Sequence, residues 1–169
     1  MNNLTKRITR AGIIASLYII LIFPTLTFAS GFIQFRPSEF LTLLPLFMPE
    51  AIPALFIGCM LSNLITGCAL LDVFVGAFIT LTAGVITYGV GKIVKNGVLK
   101  IFLGGIAPVL LNAFFLPIVW YLAYGQLETL YILNVLSLFV SQSVSVYLLG
   151  GALFSSPRVC KLLSGGYEK

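Results

Sequence analysis

Apolar residues run through this chain in long stretches, divided by short clusters of charge, glycine and proline. No stretch sustains the alternation of a half-buried strand, and the runs carry too few polar residues for a solvent-facing helix side. That is the pattern of helices that are apolar all round. The divisions predict six helices, over about 11–29, 36–48, 50–66, 72–90, 101–124 and 128–154. Pro24 is expected to bend the first, and Pro108 and Pro117 to interrupt the fifth. Pro37 suits the first turn of the second helix, where a missing N–H does no harm. Helices two and three are short for a membrane crossing, which predicts tilt or burial among neighbours. Asn96-Gly97 is a turn dipeptide between helices four and five.

Composition turns apolar helices into membrane helices. The chain has 169 residues, 59% hydrophobic and 9% charged, with a mean hydropathy of +1.09. A soluble domain carries about 25% charged residues. The expected fold class is an all-α integral membrane protein, a six-transmembrane-helix bundle, forming a single membrane domain over 1–169. A membrane β-barrel would instead show short alternating strands. The apolar run after Lys6, Arg7 and Arg10 resembles a secretory signal, yet it is longer than an h-region of about 7–15 residues. It is therefore expected to stay as the first membrane helix.

The net charge of +5 comes from ten Lys and Arg against five Asp and Glu. The basic residues sit at the ends of apolar runs, so topology explains them better than nucleic acid does. Lys6, Arg7 and Arg10 precede helix one; Lys92, Lys95 and Lys100 separate helices four and five; Arg158, Lys161 and Lys169 follow helix six. Six crossings put all of these on one side, which the positive-inside rule makes cytoplasmic, with both termini. Only Arg36 falls on the other side. Merging helices two and three would place a basic group outside.

That topology sorts the polar residues by depth. Glu39 lies about one turn below the outer surface, Asn63 ends helix three there, and Asp72 opens helix four. Trp120 and Tyr124 close helix five on the same side, and Asn134 lies in the first turns of helix six. Asn112 and Gln142 fall nearer the midplane. Polar groups converging between aromatic walls are what a small-molecule pocket needs. Each also has a plainer role. Arg36 and Glu39 are spaced to pair on one helix face, Asp72 suits a helix N-terminus, and Asn63, Asn112 and Gln142 could bridge helices. Trp120 and Tyr124 could be interfacial aromatics. Glu50, after Pro49, reads as a cap of helix three at the inner turn. Asn134, Ser137, Ser141 and Ser145 share one face of helix six.

Ala11 and Ala15 form a small-xxx-small motif at the inner end of helix one, and Gly12 and Ser16 extend the same flat surface. Such surfaces let another helix approach closely, within the chain or from a partner. There is no His in the sequence, which removes the commonest general base and metal ligand. Cys59, Cys68 and Cys160 make no CxxC pair and read as buried thiols. No phosphate-binding glycine motif, nucleophilic triad or metal-ligand spacing is present. No catalytic residue and no metal site is expected.

Particular segments carry a resemblance. Phe35-Arg36-Pro37-Ser38-Glu39-Phe40, then Glu50-Ala51-Ile52-Pro53-Ala54, Ser62-Asn63-Leu64 and Asp72-Val73-Phe74-Val75-Gly76 look like the QueT family. The six helices and the AxxxA of helix one are similar to the substrate-binding (S) components of energy-coupling factor (ECF) transporters. The resemblance implies uptake of a queuosine precursor, a 7-deazaguanine such as queuine or its aminomethyl precursor, in the plasma membrane of a prokaryote. It implies docking through Ala11 and Ala15 onto a transmembrane coupling subunit, with ATP hydrolysed by two partner ATPases and no cofactor in this chain. On the chemistry of that ligand, Glu39 is the first choice to accept from its paired N–H edge and Asp72 the second. Asn63 and Asn134 could bind its other edges, and Trp120 or Tyr124 could stack on the ring. A stand-alone secondary carrier with Glu39 or Asp72 as proton relay, an S component for another vitamin, and a structural subunit without ligand are the alternatives.

Overall fold

The computed structural model describes residues 2–25, 35–127, 130–156, 158–159 and 163. Among them every regular element is helical. Helix α1 spans Asn3–Ile20, α2 Ala51–Ile65, α3 Leu70–Ile93, α4 Gly97–Tyr124 and α5 Tyr131–Ser143. A π-helical stretch, Val144–Gly150, joins α5 to the short α6, Gly151–Phe154. Among the described residues, three helices are long and apolar enough to cross a membrane: α3, α4 and the continuous run Tyr131–Phe154. The apolar α2 is shorter, at 15 residues, or about 22 Å.

Helix α1 starts well before Ala11 and takes in Lys6, Arg7 and Arg10. Long basic side chains are good helix formers, so the charge ends the apolar run without ending the helix. It stops at Ile20, short of Pro24, which lies in a brief 3-10 turn. The end of the expected first helix, over 26–29, and the start of the sixth, at 128–129, lie outside the described residues.

The second expected helix is not α-helical. Pro37–Leu46 is a 3-10 helix of ten residues, long for this conformation. At roughly 2.0 Å per residue it reaches about 20 Å, where an α-helix of equal length would reach about 15 Å. Pro45 inside it lacks the N–H an α-helix would use and would clash with the fourth carbonyl back. With three residues per turn, side chains align in rows. One row is Phe40, Leu43 and Leu46, and another is Glu39, Thr42 and Pro45. Ser38, Glu39 and all of Leu41–Leu46 are buried, as expected for a short element enclosed by neighbours.

Glycines let those neighbours close in. A Cβ at Gly91 of α3 would come within 2.6 Å of the Leu46 carbonyl oxygen, and one at Gly104 of α4 within 2.7 Å of a Leu46 methyl. A Cβ at Gly150 would meet Leu43 at 2.9 Å. The 3-10 helix is thus held between α3, α4 and the π-helical stretch by missing side chains as much as by present ones.

The fifth expected helix is not interrupted. α4 runs through both Pro108 and Pro117. Pro108 offers no N–H to the carbonyl of Gly104, four residues back. The Thr87 hydroxyl of α3 donates to that carbonyl at 2.8 Å, so a neighbouring helix supplies the missing bond. At the start of α4, the Asn96 side chain accepts from Val98 and Leu99 N–H groups, making the turn dipeptide a helix cap.

Candidate polar site

Glu39 is the hub. It stands in the first turn of the 3-10 helix and is 3% exposed. The Tyr18 hydroxyl of α1 donates to its Oε1 at 2.8 Å, and the Asn112 amide of α4 donates to its Oε2 at 3.2 Å. Tyr18 is fully buried and Asn112 nearly so. Three separate elements therefore converge on one carboxyl group. Burying a carboxyl without partners is costly, and two directed donors offset that cost. Asn112 lies near the middle of α4, so Glu39 reaches deeper than its place near one helix end implied.

A second group adjoins the C-terminal end of α2 and the N-terminal end of α3. The Arg36 guanidinium donates to Asn63 Oδ1 at 3.3 Å. The Asn63 amide lies 3.5 Å from the Asp72 carbonyl oxygen and 3.8 Å from Cys59 Sγ. Arg36 thus bridges to α2, and the Arg36–Glu39 ion pair allowed by their spacing is not formed. The extended backbone of Arg36 is the physical reason: it precedes the 3-10 helix and shares no helix face with Glu39. Asp72, in the first turn of α3, is buried, and its Oδ1 has no hydrogen-bond partner among the described residues. Cys68 and Trp120 stand beside its carboxylate, close enough to interact with it. Gly76, one helical turn on, is packed close to both groups. A Cβ on it would lie 3.2 Å from the Asn63 amide nitrogen and 3.4 Å from Asp72 Oδ1.

The remaining expected site residues are placed differently. Tyr124 is exposed, and its hydroxyl accepts from the Ala69 N–H at 3.1 Å, tying α4 to the turn before α3. Asn134 is half-buried and donates to the Leu130 carbonyl of its own first turn. Gln142 is buried, with Oε1 unpartnered, at the junction of α5 with the π-helical stretch. The Ser38 and Ser145 hydroxyls are likewise buried and unpartnered. Ser145 and Ser141 are buried while Asn134 and Ser137 are half-buried, so the polar stripe of the last long helix faces inward.

Tyr18 escaped the sequence reading. It sits in an apolar helix whose tyrosine could as well have met lipid. A signal was present: it lies three and seven residues beyond Ala15 and Ala11, on the stripe with Ile14 that turns inward. A Cβ at Gly58 of α2 would lie 3.0 Å from Tyr18 Cβ and 3.3 Å from the Ala15 carbonyl oxygen. Ala11 and Ala15 are half-buried along this α1–α2 seam, whereas Gly12 and Ser16 are exposed. A Cβ at Gly12 would meet nothing within 4 Å.

At the other end of α2, Glu50 occupies the N-cap position but its side chain makes no capping bond. It pairs instead with Arg10 at 3.5 Å and Arg7 at 3.9 Å. The turn before α2 and the basic start of α1 therefore share one end of the bundle, opposite Arg36, Asn63 and Asp72. Among the described residues no group of acidic, cysteine or histidine side chains could hold a metal ion.

The sequence model of one family, described as the QueT transporter, matches residues 8–156, most of the chain. No curated protein and no solved structure matches.

Proposed function

Because the chain belongs to the QueT transporter family, and is thus a membrane transport protein rather than an enzyme, we propose that it is the substrate-binding component of an ECF-type importer for a queuosine precursor. The observation that carries this reading is the buried Tyr18–Glu39–Asn112 constellation, with Arg36, Asn63 and Asp72 beside it. A polar interior of this kind is costly in a membrane helix bundle, and it marks a solute path or site. Its groups suit a flat heterocycle rich in N–H donors and carbonyl acceptors, as a 7-deazaguanine is. An aminomethyl substituent would add a cation that a carboxylate favours.

In this mechanism six crossings hold the site open to the outside of a prokaryotic plasma membrane, with both termini in the cytoplasm. The pairing of Glu50 with Arg7 and Arg10 supports that arrangement, since it joins the turn before α2 to the basic N-terminal segment. Helix α1 docks through the small residues Ala11, Gly12 and Ala15 on a transmembrane coupling subunit, and two ATPase subunits bound to that subunit supply the energy. Tyr18 lies on the same helix as the docking residues, so α1 touches both the site and the partner.

Binding of 7-aminomethyl-7-deazaguanine or queuine to the purified protein tests the reading, together with identification of whatever co-purifies. No binding of either, alongside tight binding of an unrelated vitamin, would overturn the substrate. Proton-driven uptake by this chain alone in liposomes would overturn the dependence on partner ATPases.

A further inference from the structure

Two carboxylates lie in the interior, and they are not equivalent. Both oxygens of Glu39 already accept from protein donors, Tyr18 and Asn112. Asp72 is equally buried, at 2% exposure, and has Cys68 and Trp120 beside its carboxylate, but its Oδ1 has no hydrogen-bond partner among the described residues. Buried acceptors are nearly always satisfied in a working structure. A buried carboxylate oxygen without a donor therefore points to a group that arrives from elsewhere. Gly76 packs closely beside it: a Cβ there would lie 3.2 Å from the Asn63 amide nitrogen and 3.4 Å from Asp72 Oδ1. The half-buried Trp120 indole stands beside the same carboxylate. Arg36 engages Asn63 Oδ1, so the Asn63 amide nitrogen is turned toward Asp72.

From this division of labour we infer that Asp72, not Glu39, reads the paired N–H edge of the ligand, and that Glu39 is a positioning residue that ties α1, α4 and the 3-10 helix together. The inference rests on the transporter reading above and deepens it. The ligand class is a planar heterocycle with two adjacent N–H donors, such as the ring N–H and exocyclic amine of a 7-deazaguanine. One carboxylate accepts both hydrogens. An asparagine at this place would offer one acceptor and one donor, the complement of a ring that carries a carbonyl where 7-deazaguanine carries its amine.

Equilibrium binding of 7-deazaguanine and 7-deazaxanthine to the purified full chain, as wild type, Asp72→Asn and Glu39→Gln, tests the assignment. The wild type is expected to prefer 7-deazaguanine. Asp72→Asn should lose at least tenfold in affinity for it and turn the preference toward 7-deazaxanthine, a reversal that a merely structural role would not produce. Glu39→Gln should weaken both ligands without reversing their order. An unchanged preference in Asp72→Asn, or a reversal in Glu39→Gln, overturns the inference and leaves the transporter reading intact. A wild type that binds neither of these, and neither queuine nor 7-aminomethyl-7-deazaguanine, overturns the substrate reading together with the inference.

Discussion

The Tyr18 hydroxyl donates to Glu39 Oε1 at 2.8 Å, linking α1 to the 3-10 helix inside the bundle. The two residues are 21 positions apart, and α1 also carries the small-residue surface at Ala11, Gly12 and Ala15. Tyr18→Phe keeps the ring against Gly58 and removes only the donor. It should cost about 1–3 kcal/mol, the range for a buried hydrogen bond to a carboxyl group. Thermal unfolding in detergent reads this as a lowered midpoint. An unshifted midpoint would show that Glu39 has found another donor.

Glu39→Gln tests the hub itself. Tyr18 and Asn112 both present donors to the carboxyl group, and an amide offers only one oxygen. One donor is left unmatched, so the variant should lose stability as well as ligand affinity. Because Glu39 only positions the site, the loss in binding should be smaller than that of Asp72→Asn and should accompany the loss of stability. Titration calorimetry of the variant beside the wild type measures it. Full affinity in the variant would remove Glu39 from the support of the site.

The glycines make a contrasting pair. Gly91→Ala would drive a Cβ to within 2.6 Å of the Leu46 carbonyl oxygen and 2.9 Å of Leu46 Cα, both backbone atoms that cannot swing aside. A cost of roughly 1–3 kcal/mol is expected from such overpacking. Gly12→Ala meets nothing within 4 Å and should leave stability unchanged or raise it slightly, since alanine favours the helix. Comparing the two midpoints checks whether α3 and the 3-10 helix are in backbone contact.

The proposed docking onto a coupling subunit is best probed at Gly12. Gly12→Leu fills an exposed, open position. It should leave ligand binding intact and reduce co-purification with the coupling subunit at least tenfold. Ala15→Leu is expected to block docking too, but Ala15 lies half-buried on the seam with Gly58, so it should also lower the unfolding midpoint. Retained assembly in Gly12→Leu would move the docking surface off this face of α1.

Asp72→Ala removes a buried carboxylate whose Oδ1 has no donor among the described residues. Stability should fall little, because a buried carboxylate with an unmatched oxygen is lost, while ligand affinity should fall at least tenfold. A large loss of stability with affinity preserved would mean that Asp72 serves the fold alone.

Membrane character, helical class and the approximate position of most helices were legible from hydropathy alone. Local composition governs partition into lipid, and backbone bonding in lipid leaves helices as the economical form. The gathering of Arg36, Asn63 and Asp72 could also be anticipated, because charge bias orients the helices and so sorts polar residues by depth. Contacts between particular side chains could not. That Arg36 reaches Asn63 and not Glu39 depends on the extended backbone before the 3-10 helix, and the 3-10 geometry itself follows from close neighbours at Gly91, Gly104 and Gly150. That α4 continues through Pro108 depends on Thr87 of another helix. That Tyr18 meets Glu39, and that Asp72 Oδ1 is left without a donor among the described residues, follows only from the packing of helices distant in sequence. Hydrogen bonding is directional and short-ranged, so which buried groups are satisfied is decided by tertiary placement to within an ångström, a scale on which hydropathy carries no information.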